Sequence, residues 1–255
     1  DNSKEIVELF RSHCTEMSTE EERKERVLMT TVKTTATTYA DLLTELGGYA
    51  TSIGEDTAKE GFRVNIVYPS TVTMTLSDGL EHTLEGNYVC AALSGLRETQ
   101  LKSDSLTRSG ISFFKDLKGI KLLRSQKNAL ASCGVMLLEQ TTPGSAIICR
   151  HQLTTKMDLI EHREMSIIEV RDLTAKYIRK VSEPYIGKFK INQVTITGYR
   201  LALDSAMKEL VKLEYIDSYT INKISQDSES PDSLIVEVSI KPLYPCNYIN
   251  ITLFM

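Results

Sequence analysis

The most constraining stretch of the chain is its last, Leu234 to Met255, which reads LIVEVSIKPLYPCNYINITLFM. Leu234, Val236, Val238 and Ile240 alternate with Ile235, Glu237, Ser239 and Lys241, the two-residue period of a half-buried strand. After the break, Ile249, Ile251 and Leu253 alternate with Tyr248, Asn250, Thr252 and Phe254 in a second strand that runs to the terminus. Pro242 and Pro245 stand between them, and because proline lacks a ladder donor, no central strand can pass straight through. An apolar terminal strand must pair or become an aggregation hazard. It can close the sheet of its own domain, which the pattern alone favours, or complete a neighbour's sheet by strand addition.

At 255 residues the chain is long enough for one large domain or two modest ones. A net charge of −4 argues against a dedicated nucleic-acid binder. No apolar run approaches the roughly 20 residues that span a bilayer, and no secretory signal is recognisable. The chain starts at Asp1 rather than Met, which suggests part of a longer protein. Cys14, Cys90, Cys133, Cys149 and Cys246 are scattered, with no C-x-x-C, so buried free thiols are expected rather than disulfides or zinc. Asn250-Ile251-Thr252 matches the glycosylation tripeptide, by chance on this reading.

Along the chain, Ser3 to Met17 reads as a helix, followed by the solvated charge run Glu20 to Arg26. Val27 to Val32 is a short strand. Thr38 and Asp41 open a helix with Leu42, Leu43 and Leu46 inward, ending near Gly47-Gly48. Val64 to Val67 suits a buried parallel strand. Asp78-Gly79 joins Thr71 to Leu76 and Leu80 to Leu84 in a hairpin. Gly86 to Glu98 is a helix whose small face of Ala91, Ala92 and Gly95 is expected to pack in the core. Ser125 to Gly134 is a helix with Ser125 as N-cap, leading to strands Val135 to Leu138 and Ala146 to Arg150 about a Pro143-Gly144 turn. Ser166 and Glu169 suggest a capping box for a helix with Ile167, Val170, Tyr177, Ile178 and Val181 on one stripe. A second long helix follows near Thr197, with Leu203, Ala206, Leu210 and Leu213 inward.

The expected fold is therefore α/β (α+β). A layered mixed sheet with flanking helices is followed by a C-terminal helix-helix-β domain ending in an extended arm strand. The divisions expected are a helical, charged segment 1–26, a core domain 27–165 and a C-terminal domain 166–255, with the arm at about 246–255.

Chemistry is hard to find. Both phosphate-binding glycine loops and the G-x-S-x-G elbow are absent. His151 and His162 lack metal-ligand spacing, and HREMS is not H-E-x-x-H, so both read as surface or hydrogen-bonding histidines. With no tryptophan, a stacking platform for single strands is not indicated. No catalytic, cofactor or metal site is expected.

Several ordered segments resemble contractile phage tail sheath proteins, which are related to the sheaths of contractile injection systems. They are RVNIVYPS (Arg63 to Ser70), LEGNYVCAALSGLRE (Leu84 to Glu98), SLTRSGISFFKDL (Ser105 to Leu117), and GVMLLEQ through CRHQLTT (Gly134 to Thr155). The layout from RDLTAKYIRKVSEPYIGK (Arg171 to Lys188) to VEVSIKPLYPCNYINITL is also similar. Together they cover roughly residues 27–255, whereas Asp1 to Arg26 does not match the family's N-terminal region.

The resemblance implies a structural subunit, not an enzyme, that forms stacked hexameric rings around a tail tube and contracts to drive the tube through the host envelope. It implies copies of itself, a tube protein, and baseplate and tail terminator proteins as partners. It places the protein in the virion, assembled in the host cytoplasm, with no direct contact to nucleic acid and no membrane insertion. It reverses the reading of the terminal strand, making Tyr248, Ile249, Asn250, Ile251, Thr252, Leu253 and Phe254 an arm donated to a neighbour, with Pro242 and Pro245 as its linker. Glu183, Lys188, Lys190, Lys208, Glu209 and Lys212 become candidate tube or neighbour contacts. Three alternatives stand beside it: the sheath of a bacterial secretion or injection system, an α/β enzyme with a cleft at a histidine, and a module that swaps its strand into a closed dimer.

Overall fold

The computed structural model describes residues 3–142 and 144–254, so Pro143 of the expected turn and Met255 lie outside the described residues. The chain forms two compact units. One holds the residues up to Gln100, Asp104–Ile168 and those from Cys246 onward; the other holds Leu101–Ser103 and Glu169–Pro245.

The first unit opens with α1 (Ser3–Met17) and β1 (Leu28–Thr30). A longer helix then starts as α2 (Tyr39–Leu42), widens into a π turn at Leu43–Gly47 and continues as α3 (Gly48–Glu55). Thr38 caps it by accepting the Asp41 N–H. The helix passes through Gly47-Gly48, where an end was expected, because both glycines hold right-handed helical dihedrals. Next come β2 (Val64–Tyr68), the hairpin of β3 (Thr71–Thr75) and β4 (Glu81–Glu85), and α4 (Gly86–Glu98). They are followed by β5 (Gly110–Ile111), β6 (Phe114–Lys118), α5 (Arg124–Ser132), β7 (Val135–Gln140), β8 (Ile147–Cys149) and α6 (Ile160–Arg163).

A five-stranded mixed sheet of order β1-β2-β7-β8-β5 forms the centre, with β2 parallel to both β1 and β7. The run VNIV is continuously apolar apart from Asn65 because both faces of β2 are covered. Val64, Ile66 and Tyr68 join Val135 and Leu137 in a core with Leu42, Leu46, Ile53 and Leu130. Val67 joins Met136 and Leu138 in a second core with Val72, Val89, Leu93, Phe114 and Ile147. A three-stranded sheet, β4-β3-β6, contributes to this second core.

Three local expectations are corrected. On α4 the buried residues are Val89, Cys90, Leu93 and Arg97, while Ala91 and Gly95 face solvent. On α5 the N-cap is Leu123, whose N–H is answered by the Gln126 side chain at 2.8 Å, so Ser125 lies inside the helix. The Ser166–Glu169 capping box does not form, since the helix already starts at Met165 and the buried Ser166 hydroxyl has no hydrogen-bond partner.

α7 (Met165–Ser182) starts in the first unit, enters the second at Glu169 and continues into a 3₁₀ turn at Glu183–Tyr185 that carries Pro184. Asn192 then caps α8 (Gln193–Lys212) by accepting the Thr195 N–H at 2.9 Å. β9 (Ile216–Gln226) and β10 (Leu234–Pro242) form an antiparallel pair. Val170, Tyr199, Leu203, Met207, Leu210, Ile216 and Ile224 make its core, with Tyr177, Ile178, Val181, Val236, Val238 and Ile240 packed against them. Leu213, expected inward, is exposed because α8 has ended before it.

Candidate assembly surface

The strand pattern of Leu234 to Lys241 is realised as β10, and Pro242 is its last residue. From Cys246 to Phe254 the backbone is irregular and has no ladder partner. The pairing within its own domain that the pattern alone favours therefore does not occur among the described residues. Ile249, Ile251, Leu253 and Phe254 are 79%, 78%, 87% and 92% exposed. So many large exposed apolar side chains in one short segment make it a candidate association surface. Asn250 and Thr252 are also exposed, and Tyr248 is 71% exposed.

Among the described residues, side-chain hydrogen bonds hold the root of this arm. The Asn247 Nδ2 donates to Glu164 Oε1 at 3.0 Å, and the Tyr248 hydroxyl lies 3.3 Å from His151 Nδ1. His151 and Glu164 are 8% and 0% exposed and meet through Nε2 and Oε1 at 2.7 Å. The segment bearing His151 is itself clamped: Gln152 accepts the Leu106 N–H at 2.7 Å, and the Thr155 N–H donates to Val64 O at 2.9 Å. A Cβ on Gly54 would stand 2.1 Å from the Thr155 carbonyl oxygen, so only glycine admits this approach.

The second unit offers the complementary feature. Its sheet has two strands, so among the described residues β9 and β10 each present one edge without a partner strand. Beside β9 runs a groove of about 670 Å³ lined by Arg200, Leu201, Asp204 and Lys208 of α8 and by Asp217–Ile221. Lys208 pairs with Asp204 at 2.7 Å and Lys241 with Asp217 at 2.8 Å. The Lys208 and Tyr219 hydrogen bonds hold the Asp204 carboxyl below its ordinary range, while burial and Asp204 push the Tyr219 phenol up to about 12.

Glu183, Lys188, Lys190, Lys208, Glu209 and Lys212 all face solvent. Composition alone did not mark the apolar side chains around the first lysines: Ile186, Phe189 and Val194 are exposed too, giving the loop and the start of α8 a mixed basic and apolar surface. The sequence also missed the arm-root contacts, since residues so distant in sequence as His151, Glu164 and Asn247 are joined only by the fold.

The other candidate groups fall into ordinary roles. His162 stacks on Phe62 and pairs with Asp158 at 2.8 Å. His151 does face a cleft of about 410 Å³ with a carboxylate beside it, but Asn247 and Tyr248 of the arm form part of that cleft's lining. Both ring nitrogens already have partners, one in Glu164 and one in Tyr248. Cys14, Cys90 and Cys149 are buried as expected, whereas Cys133 is half-buried and Cys246 exposed. Burial pushes the Cys90 and Cys149 thiols up to about 12, away from nucleophilic thiolate chemistry.

Residues 161–255 match the family profile of the phage tail sheath C-terminal domain. A tail sheath protein of Mycobacterium phage Bxz1 is 28% identical over 203 residues, which is 78% of this chain and 34% of that protein. The chain thus spans about a third of that relative's length. Among solved structures, the contracted helical sheath of the anti-feeding prophage aligns with a TM-score of 0.67 at 12% identity, over 93% of this chain and 63% of that one. A sheath tail protein from Desulfitobacterium hafniense aligns with a TM-score of 0.64 at 12% identity, over 95% and 55% of the two chains. At these identities the likeness is one of fold, and the mixed α/β architecture is that of sheath proteins.

Proposed function

We infer that a chain whose residues 161–255 carry the phage tail sheath C-terminal domain is part of a contractile sheath subunit. The observation that carries this reading is a donor and an acceptor on one chain: an unpaired apolar arm, Tyr248 to Phe254, and a two-stranded sheet with open edges. An arm that adds to β9 or β10 of a neighbour joins subunits by main-chain hydrogen bonds, with alternate side chains filling the groove. Donor and acceptor surfaces differ, so an arm passed on to the next copy makes a head-to-tail contact that propagates as rings or open helices, whereas arms exchanged between two copies would close a dimer. Pro242 and Pro245 stiffen the stretch that leads to the arm.

On this reading residues 27–165 form the sheath core and 166–255 the C-terminal domain. The subunits stack as hexameric rings around a tail tube, bounded by baseplate and terminator proteins, in a virion tail assembled in the host cytoplasm. The basic and apolar surface of Lys188, Phe189 and Lys190, with Glu183, Lys208, Glu209 and Lys212, faces the tube or a neighbour. The role is mechanical rather than catalytic. The extended sheath is held in a higher-energy arrangement, and contraction repacks joined subunits as rigid bodies with better contacts, driving the tube through the envelope. The likeness to the contracted sheath of an extracellular contractile injection system, PVC (TM-score 0.65, 10% identity, 89% of this chain and 63% of that one), supports a second reading as an injection-system sheath.

The test is electron microscopy of the purified protein at high concentration, with and without the residues after Pro245. The intact protein is expected to form ribbed tubes or stacked rings. The shortened one is expected to be a folded monomer by circular dichroism and light scattering. Tubes from the shortened protein would overturn the role of the arm.

A further inference from the structure

Donating a strand does not by itself require a buried histidine–carboxyl hydrogen bond behind the strand's first residues, yet one is present. Glu164 is fully buried, and its Oε1 accepts from both His151 and Asn247, while Oε2 has no hydrogen-bond partner. Arg163 Nε stands 3.8 Å from Oε1, and Arg108 and Arg150 line the same cleft. The Tyr248 ring meets the His151 ring edge-on, with centroids 6.0 Å apart.

We propose that the His151–Glu164 pair is a latch that seats the root of the arm on the core of the subunit donating it, with Asn247 and Tyr248 as the positioning residues. The proposal rests on the reading of the arm as a donated strand and adds how its load is carried. A buried carboxylate is costly unless its lone pairs are answered, so withdrawing Asn247 leaves Glu164 with one hydrogen-bonding partner in place of two. The imidazole serves in either charge state. With the proton on Nε2, Nδ1 accepts the Tyr248 O–H; with both nitrogens protonated, Nδ1 donates to the same oxygen. A phenol hydroxyl can do both, which a carboxylate or an ammonium in its place could not. Tension on Ile249 to Phe254 then reaches Tyr248 and Asn247 first and passes into the clamped segment of residues 151–155. The latch, downstream of Pro242 and Pro245, is what sets the arm's point of exit.

The experiment places a nitroxide on the arm (Asn250→Cys in a Cys133→Ala, Cys246→Ser background, which leaves the remaining thiols buried) and reads its mobility by electron paramagnetic resonance in dilute, unassembled protein. Tyr248→Phe and Asn247→Ala each remove one hydrogen bond, and each is expected to raise the ratio of mobile to seated label by roughly three- to tenfold. Tyr248→Phe is expected to leave the melting temperature unchanged, because its ring is 71% exposed on the terminal arm, whereas Asn247→Ala, which takes a hydrogen bond from the buried Glu164, is expected to lower it slightly. Unchanged label mobility in both variants overturns the latch, and a lowered melting temperature with unchanged mobility does so as well. The measurement is independent of assembly. A freed root in protein that forms tubes regardless of its arm would leave the latch standing and remove arm donation.

Discussion

Gly134 holds φ at +83°, and a Cβ there would stand 2.7 Å from Thr155 Cα and 2.8 Å from Thr154 O. Alanine must meet both the strained dihedral and the contact, so Gly134→Ala is expected to destabilise the first unit by about 1–3 kcal/mol, read as a lower urea midpoint. The thiols give a second test at this scale. In the native protein Ellman's reagent is expected to find Cys246 quickly and Cys133 slowly, with Cys14, Cys90 and Cys149 reacting only on unfolding. Fast reaction of Cys90 or Cys149 would contradict the packing of the second core, and fast reaction of Cys14 the burial of α1. The same groups set the pH profile. Folded-state pKa values of Cys90 and Cys149 are raised, so their contribution is present below the unfolded value and is lost as pH rises from about 9 toward 12. Asp78, Asp116 and Asp204 are shifted down by hydrogen bonds from Leu80, Lys118 and Lys208 respectively, so their contribution holds above about 4 and is lost as pH falls further. Urea midpoints measured across pH should therefore show a plateau between these limits.

At the scale of elements, α4 separates what a sequence pattern can say from what it cannot. Its limits, Gly86 to Glu98, were legible, because glycine stands at the start and the apolar spacing is helical. Its buried face was not, since small residues suit either close packing or solvent. Leu93→Ala is expected to cost about 2–5 kcal/mol through the cavity it leaves, whereas Gly95→Ala is expected to stabilise by up to ~1 kcal/mol, having open space around it. Thermal unfolding of the two variants decides between the faces. The strands β2 and β7 and the hairpin about Asp78-Gly79 were likewise legible, since continuous apolar runs and turn dipeptides are local signals. The helix through Gly47-Gly48 and the cap at Leu123 were not, because a neighbour's packing and a side chain three residues on override local propensity there. For the candidate site, the arm was visible as a period-two pattern behind two prolines. Its anchor was invisible, because His151, Glu164 and Asn247 share no segment and meet only through tertiary structure.

For the whole molecule, the arrangement of donor and acceptor on one chain makes assembly sensitive to a minority of defective copies. A chain shortened after Pro245 keeps the open edges of β9 and β10 and so still accepts an arm, but it offers none to the next subunit. Mixed with intact protein, it should enter the growing structure and leave each link beyond it unmade. The expected result is a loss of assembled mass more than twice the shortened chain's share of the mixture, with shorter tubes by electron microscopy. A closed, reciprocal exchange of arms between two copies would behave otherwise, removing assembled mass only in proportion to the pairs that contain a shortened chain. Ile251→Lys in the otherwise intact chain separates the chemistry of the arm from its length. Ile251 is 78% exposed before assembly, so the lysine should leave the melting temperature of the free subunit unchanged. Seated in a neighbour's groove beside Leu201, Val211 and Ile221, it would have to bury its charge, and sedimentation should find it in the soluble fraction. Pelleting of this variant at the level of the intact protein would show that the odd-numbered face of the arm is not the face that docks.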